Sequence, residues 1–323
     1  IARNILQILK YPGNSGVISV LQDEAAILTL KINENCPFLK TPVMHLSRVN
    51  PDLDFAVVNI LRDGGCFVPE AYDTLEAGDE INILVRKRLI DETIRGFGLD
   101  TPGNERLVIF GGSLIGRFIG RQAEQDDSVV SCKIIEENMD DARNLARELS
   151  HVVVIQGEMM SDVILNEANI NHADASIAVT LDDKDNLLAS MVASQNGVMT
   201  NITVVNTPSY NNLLFNIKNN ILVDRSSITI SKILKEIRKV KMIDAHVVSR
   251  GCGEVWEIRA SKESLCCGKK IGELNLRKFS RIFAIKRGGE LIYPLPTTDI
   301  EEGDILLLYV DSSDIRHVEK VLS

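Results

Sequence analysis

Between Phe110 and Arg117 the chain reads Gly-Gly-Ser-Leu-Ile-Gly, and Glu136 stands twenty positions past the last of these glycines. This spacing suits a phosphate and a ribose. Gly111 permits a tight turn, and Gly116 lets a following helix pack closely on a sheet. From Gly112 through Ser113, Leu114 and Ile115 the chain opens that helix, whose free N–H groups and partial positive charge face an anion. Ser113 takes the middle position of the G-x-G-x-x-G spacing, adding a hydroxyl and a Cβ where glycine lets backbone approach a pyrophosphate. An acid at Glu136 accepts hydrogen bonds from both ribose hydroxyls and repels a 2′-phosphate. Further polar residues fall where strands of the same sheet should end: Gly157-Glu158, Thr180-Leu181-Asp182-Asp183, and Asn206. Asp182 and Asp183 serve equally well as caps of a helix beginning near Lys184. The alternative is the same fold with a vestigial pocket, its glycines serving only packing.

The elements that must position these residues alternate in type. Apolar runs at Arg106–Phe110, Ser128–Ile135, Val152–Ile155, Ala175–Leu181, Ile202–Val205 and Ile221–Val223 read as strands. Helical patterns lie between them at Leu114–Gln125, Met139–Leu149, Asp162–Ala168, Lys184–Gln195 and Tyr210–Ile217. Near-continuous apolar strands with helical crossovers mean a parallel sheet covered on both faces. The expected fold class is therefore α/β, a Rossmann-like doubly wound parallel sheet.

On either side the chain repeats itself. Arg62, Pro69 and Gly78-Asp79 match Arg287, Pro294 and Gly303-Asp304, all displaced by 225 positions without a gap. Each copy reads as β-hairpins turned at Arg-Asp-Gly-Gly or Arg-Gly-Gly, the glycines supplying positive φ. Each is thus a small α+β module. Ser226–Val240 reads as an amphipathic helix, with Ile230, Ile233, Leu234 and Ile237 on one face. Asn4–Lys10 resembles the tail of an equivalent helix. The expected organisation is the end of a crossover helix of an incomplete first unit over 1–12, a first module over 13–88 and a Gly/Pro-rich linker over 89–103. The nucleotide-type domain follows over 104–240 and a second module over 241–323. An N-terminal part of the first unit is expected to be missing.

Composition bounds the function. Hydrophobic residues are 45% and charged residues 25%, the mix of a folded globular protein. The net charge of −9 argues against nucleic-acid binding, which needs a basic field. The longest strongly apolar run is Ile305–Val310, against about 20 residues for a bilayer span, so no membrane insertion is expected. An acidic chain is also repelled by anionic lipid, so docking at a membrane would go through a protein partner. The cysteines form no C-x-x-C pair and read as small apolar thiols, giving no metal site. None of His45, His151, His172, His246 and His317 sits in an evident catalytic context, and no catalytic residue is assigned. An NAD-dependent oxidoreductase, which needs a proton-transfer group at the nicotinamide, and a ligand-free structural oligomerisation module stay as alternatives.

The order GGSLIG, KIIEEN, VIQGE, VTLDDKDNLLAS, ILVDRSSITISKIL resembles an RCK (KTN, TrkA-N) domain, and GEVWEI with its Gly-Asp hairpins resembles the partner TrkA-C domain. Two tandem units in one chain are characteristic of the TrkA-like peripheral subunits of bacterial Trk potassium-uptake systems. The resemblance implies the Rossmann-like sheet flanked by two small TrkA-C domains. It implies binding of NAD(H) or an adenine nucleotide (ATP/ADP) without catalysis. It further implies a homo-oligomer, a dimer or tetrameric ring, paired through helices such as Met139–Leu149 and Tyr210–Leu234. That assembly would be cytoplasmic, peripheral at the inner face of the cell membrane, under a TrkH-like potassium channel or transporter subunit. The family's phosphate loop falls on Gly111, Ser113 and Gly116, and its ribose acid on Glu136. Its residues after the third and fourth strands fall on Glu158, Thr180, Asp182 and Asp183, and its arginine after the last strand on Arg225. Three positions depart from the family: Ser113 in a loop that reads GGGNIG, Glu137 for a basic residue, and Glu158 for aspartate.

Overall fold

A computed structural model describes residues 1–99, 103–210, 213, 217, 219–226, 229–230, 233, 242–248 and 251–322. In chain order the elements are α1 (Ala2–Lys10), β1 (Gly16–Val20), β2 (Ala25–Lys31), α2 (Leu46–Val49), β3 (Phe55–Arg62), β4 (Gly65–Phe67), β5 (Glu80–Arg86) and α3 (Ile90–Gly96). There follow β6 (Arg106–Phe110), α4 (Leu114–Ala123), β7 (Ser131–Glu136), α5 (Met139–Glu148), β8 (Val153–Gln156), α6 (Asp162–Ala168), β9 (Ala175–Ala178), α7 (Asp183–Gln195), β10 (Thr200–Val205) and β11 (Asn220–Asp224). The last are β12 (Met242–Val248), β13 (Gly253–Arg259), β14 (Ser280–Arg287), β15 (Glu290–Ile292), β16 (Ile305–Asp311) and α8 (Ile315–Leu322). The helices expected over 210–217 and 226–240 lie largely outside the described residues.

The chain forms two compact units, Ile1–Ser15 with Thr101–Ser226, and Gly16–Asp100 with Ser227–Ser323. In the first, six strands pair in the order β11-β10-β9-β6-β7-β8, every described pair parallel. In order of appearance this is the 3-2-1-4-5-6 arrangement of doubly wound dinucleotide folds, whose switch point lies between β6 and β9. Buried Val108, Phe110, Ile135, Ile155, Ala178, Ala189 and Ala193 form one core of this unit. Glycine spacing lets α4 lie close on the sheet: a Cβ at Gly120 would stand 3.0 Å from Ile134 Cδ1. The N-terminal helix α1 packs beside α4 in this same unit, and Asn104 Nδ2 donates to Leu9 O at 2.9 Å. Buried polar side chains in the sheet and on α7 against it are partnered: Ser176 with Asn201, and both Thr203 and, from α7, Ser190 with Asn220.

In the second unit the sequence repeat becomes two antiparallel sheets of identical order, β1-β2-β5-β3-β4 and β12-β13-β16-β14-β15. Asp63-Gly64 and Gly288-Gly289 form two-residue hairpin loops with positive φ at both positions, so the turn chemistry read from the sequence fixes the registers Arg62↔Gly65 and Arg287↔Glu290. The matched arginines and aspartates meet. Arg62 donates to both carboxylate oxygens of Asp79 at 2.7 and 2.8 Å, and Arg287 to both of Asp304 at 2.9 and 2.8 Å. Each guanidinium also reaches a glutamate, Glu76 or Glu301, and a main-chain oxygen, that of Thr74 or Asp299. The fork is bidentate and its aspartate is buried, so geometry as well as charge holds the turn to the strand.

The two sheets share one apolar core. Val20, Ile27, Val58 and Leu84 of the first module pack with Val255, Phe283, Leu307 and Tyr309 of the second. Polar groups rim it: Leu21 N donates to Glu257 at 3.1 Å, Arg281 to Pro69 O at 2.9 Å, and Lys286 pairs with Glu24 at 2.6 Å. No helix among the described residues is long and apolar enough to cross a membrane.

Candidate functional site

At the switch point β6 ends in Phe110 and the chain turns through Gly111, whose φ of +103° is open to glycine and strained for other residues. A Cβ there would lie 2.9 Å from the main chain of Thr180, so the loop after β6 and the loop after β9 touch. Gly111 N donates to Ile135 O at 2.9 Å, which ties the turn to β7. At Gly112 a Cβ would stand 2.2 Å from Leu145 Cδ1, and at Gly116 it would stand 2.2 Å from Gly111 O. Gly111 and Gly116 are therefore required by the close approach of main chain, whereas at Gly112 the nearest atom is the movable end of a leucine side chain.

Ser113 does two jobs that glycine cannot. It is the N-cap of α4, its Oγ accepting from Gly116 N at 3.5 Å, and it donates to Val179 O at 2.7 Å. The hydroxyl stitches α4 to the end of β9 rather than projecting at a ligand. Leu114 and Ile115 follow as the first helical residues, with amides that have no intrahelical acceptor.

Glu136 closes the loop. Its Oε2 accepts from Gly112 N at 2.7 Å and its Oε1 from Asn138 N at 2.8 Å. Two amide donors fix the plane of the carboxylate. Each oxygen keeps a lone pair for a ribose hydroxyl. Asn138 in turn caps α5, accepting from Asp140 N and Asp141 N.

Across the crevice, Thr180 N donates to Asn186 Oδ1 at 2.8 Å, which ends β9 at Ala178 rather than at Leu181 as the apolar run suggests. Of the two acids expected to cap, Asp182 is the cap, accepting from Lys184 N at 2.7 Å. Asp183 faces the end of β10 and accepts from Asn206 N, Asn206 Nδ2 and Thr207 N at 3.0, 3.0 and 2.9 Å. Burial opposes its ionisation, but the hydrogen bonds from Thr207 and Asn206 outweigh it and hold its carboxyl below the usual range.

The structure thus brings Gly111, Gly112, Ser113, Glu136 and Thr180 together around one turn, Gly112 bonded to Glu136 and Gly111 packed on Thr180, with Asp182 and Asp183 at the start of α7. Glu158 is exposed beyond the end of β8, and the intervening Gly157 N donates to Glu136 O at 3.2 Å. Arg225 follows β11, three strand positions from β6, or about 14 Å at ordinary strand spacing. Sequence reasoning missed Asn138 and Asn186. An asparagine before Met-Asp-Asp is a cap signal that points to the first. Nothing local marks the second, buried in α7 and donating to Val204 O at 3.0 Å. Among the described residues no cluster of His, Cys, Asp or Glu suits a metal ion.

A glycine turn at the switch point, a capped helix aimed into the crevice and an acid anchored at the end of the second strand define a Rossmann-type nucleotide-binding domain. The residues fit such a ligand: Gly111 and Gly112 carry no side chain, the first amides of α4 have no intrahelical acceptor, and each oxygen of Glu136 keeps a lone pair. The TrkA-N domain family matches residues 107–225 and the TrkA-C domain family residues 255–323. The Trk system potassium uptake protein TrkA of Azorhizobium caulinodans is 29% identical over 317 residues, covering 98% of this chain and 69% of that protein. The protein of the same name from Halomonas elongata is 27% identical, covering 98% and 70%. An Archaeoglobus fulgidus homolog is 25% identical, covering 99% and 71%. Among solved structures, a GsuK channel bound to NAD aligns over 97% of this chain and 56% of that one, with a TM-score of 0.52 and 16% identity, a likeness of fold alone. The chain thus holds a TrkA-N domain and a TrkA-C domain.

Proposed function

We propose that this chain is a regulatory subunit of a Trk-type potassium-uptake system, and that NAD(H) or an adenine nucleotide at the Gly111–Gly116 loop sets its conformation. The observation that carries the reading is Glu136 fixed between Gly112 N and Asn138 N at the switch point, in a chain that aligns with TrkA proteins over 98% of its length. The first amides of α4, those of Leu114 and Ile115, hold the pyrophosphate, and Glu136 takes the ribose hydroxyls. Thr180, Asp182, Asp183 and Glu158 shape the crevice around them, and Arg225 stands at its outer edge. In this reading the domains run over 13–88, 104–240 and 241–323, and the protein works without turning over its ligand.

The partner is a membrane potassium channel or transporter subunit, reached from the cytoplasmic side by a homo-oligomer of this chain. A ligand shifts such an assembly only by its difference in affinity between two conformations. The test is calorimetric titration of NADH, NAD, ADP and ATP, followed by potassium flux through the reconstituted partner with and without the ligand that binds. Absence of binding by all four, or flux indifferent to a bound ligand, overturns the reading.

A further inference from the structure

The two modules of the second unit bury equivalent faces against each other. Ile27 pairs in register with Leu84, as Val255 does with Tyr309, and Val58 and Phe283 sit at the same register shift of their sheets. These six side chains lie in the one shared core. A contact between like faces has two equivalent ends. We infer that the end bearing Cys66 and Cys252 is an oxidation site, where a peroxide converts the two thiols into a disulfide joining one module to the other.

The opposite end shows what spans this place in the repeat. By register Cys66 stands where the second module has Leu291, and Cys252 where the first module has Glu24. Glu24 crosses to Lys286 of the second module at 2.6 Å, and Lys286 is the register partner of Leu291. Arg86 crosses as well, donating to Leu291 O at 3.2 Å. The repeat carries this arrangement to the first-named end as Cys252 of the second module facing Leu61 of the first, whose register partner is Cys66. One end is closed by an ion pair, and the other presents two thiols.

The hydroxyl of Tyr309 marks the ground between them. Tyr309 is 1% exposed, and its hydroxyl makes no hydrogen bond among the described residues. Gly253, next to Cys252, admits the ring: a Cβ there would stand 2.5 Å from Tyr309 Cζ and Oη. Burial first, then the Cys66 thiol, Asp311 and the Cys252 thiol, push the Tyr309 hydroxyl well above its ordinary value. It therefore stays protonated, a donor available to a thiolate. Ser312 N and Oγ hold Cys252 O at 3.0 and 2.9 Å, and Cys66 is held within β4. Neither cysteine is in a disulfide and both are half-exposed, whereas Cys36, Cys132 and Cys266 are buried, with thiols raised by that burial.

One thiolate attacks the peroxide O–O bond, takes one oxygen as a sulfenic acid and releases the other as hydroxide. The second thiolate attacks that sulfur and expels its hydroxyl. Two thiols and one hydrogen peroxide thus give one disulfide and two waters, the sulfurs losing two electrons and the peroxide gaining them. The bond holds the two Cα atoms within about 7 Å, so it fixes β4 to the turn before β13.

The experiment treats the full chain with hydrogen peroxide, blocks the remaining thiols with N-ethylmaleimide and maps the peptides without reduction. The expected result is a peptide linking Cys66 to Cys252 within one chain, released by dithiothreitol and lost in Cys66→Ser and in Cys252→Ser. Tyr309→Phe keeps the ring in the core and should slow the link about fivefold, the worth of one hydrogen bond. A thermal melt of the reduced protein checks that each variant is folded, and the map of the unaltered chain decides by itself where one is not. Cys66 and Cys252 recovered as separate sulfenic or sulfinic acids overturn the inference. So do bridges between two chains, or a Cys266–Cys267 link in place of this one. A Tyr309→Phe chain that links at the unaltered rate overturns the part given to the hydroxyl. The nucleotide reading stands or falls separately from all of these.

Discussion

Glu136 and the paired aspartates Asp79 and Asp304 are the same chemical group put to opposite uses. In the paired modules each aspartate spends both oxygens on a guanidinium and a main-chain amide, Glu76 N for Asp79 and Glu301 N for Asp304. That arrangement is saturated and buried, and it holds a turn. Glu136 receives two amides and, among its described hydrogen bonds, no cation. It is oriented yet still able to accept. A carboxylate completed by its own chain is architecture; one left partly satisfied at a strand end keeps acceptor capacity, which the proposed nucleotide would use.

If that contrast is right, removing each acid should harm a different property. Asp79→Ala or Asp304→Ala removes the two-pronged partner of a half-buried guanidinium and leaves a main-chain amide unpaired, and should cost about 3 kcal/mol in urea unfolding, the largest effect. Gly111→Ala forces a Cβ onto Thr180 at a strained φ and should cost about 2–3 kcal/mol, with nucleotide binding lost alongside. Asp183→Asn should cost about 1–2 kcal/mol at neutral pH and flatten the acid limb of the stability curve. Its folded carboxyl is held below the usual range, so its contribution is present above about pH 4 and fades as pH falls through the lowered value. Glu136→Ala should change stability by under about 1 kcal/mol while nucleotide affinity falls by at least about tenfold. A Glu136 variant that unfolds with Asp79→Ala would erase the distinction. Cys132 sharpens the picture from another side: burial lifts its thiol to about 12, so iodoacetamide should leave it unmodified at neutral pH until the sheet opens.

Much of this was legible before the fold was known, because periodicity and turn chemistry are local. The alternation of apolar runs announced the parallel sheet, with α6 placed at Asp162–Ala168 as expected. The displaced Arg, Pro and Gly-Asp positions announced two like modules. What the sequence withheld was pairing across distance. Nothing in the spacing says that Arg62 reaches Asp79, that Glu136 returns to Gly112, or that the two modules bury their sheets against each other. Strand ends slipped for a related reason. Ser128 falls before β7 because its amide and hydroxyl bind Asp126, and Thr180 falls after β9 because Asn186 captures its amide. A side chain outbid the ladder in both places, and hydrophobic pattern is blind to such competition.

The shared core of the two modules has a further consequence. Joined by one polypeptide, they meet as an intramolecular event, at an effective concentration set by the connecting chain rather than by the cell. Dilution cannot part them. Because each face is encoded separately, one can accumulate substitutions that an identical partner would be forced to copy, so the seam is free to become lopsided.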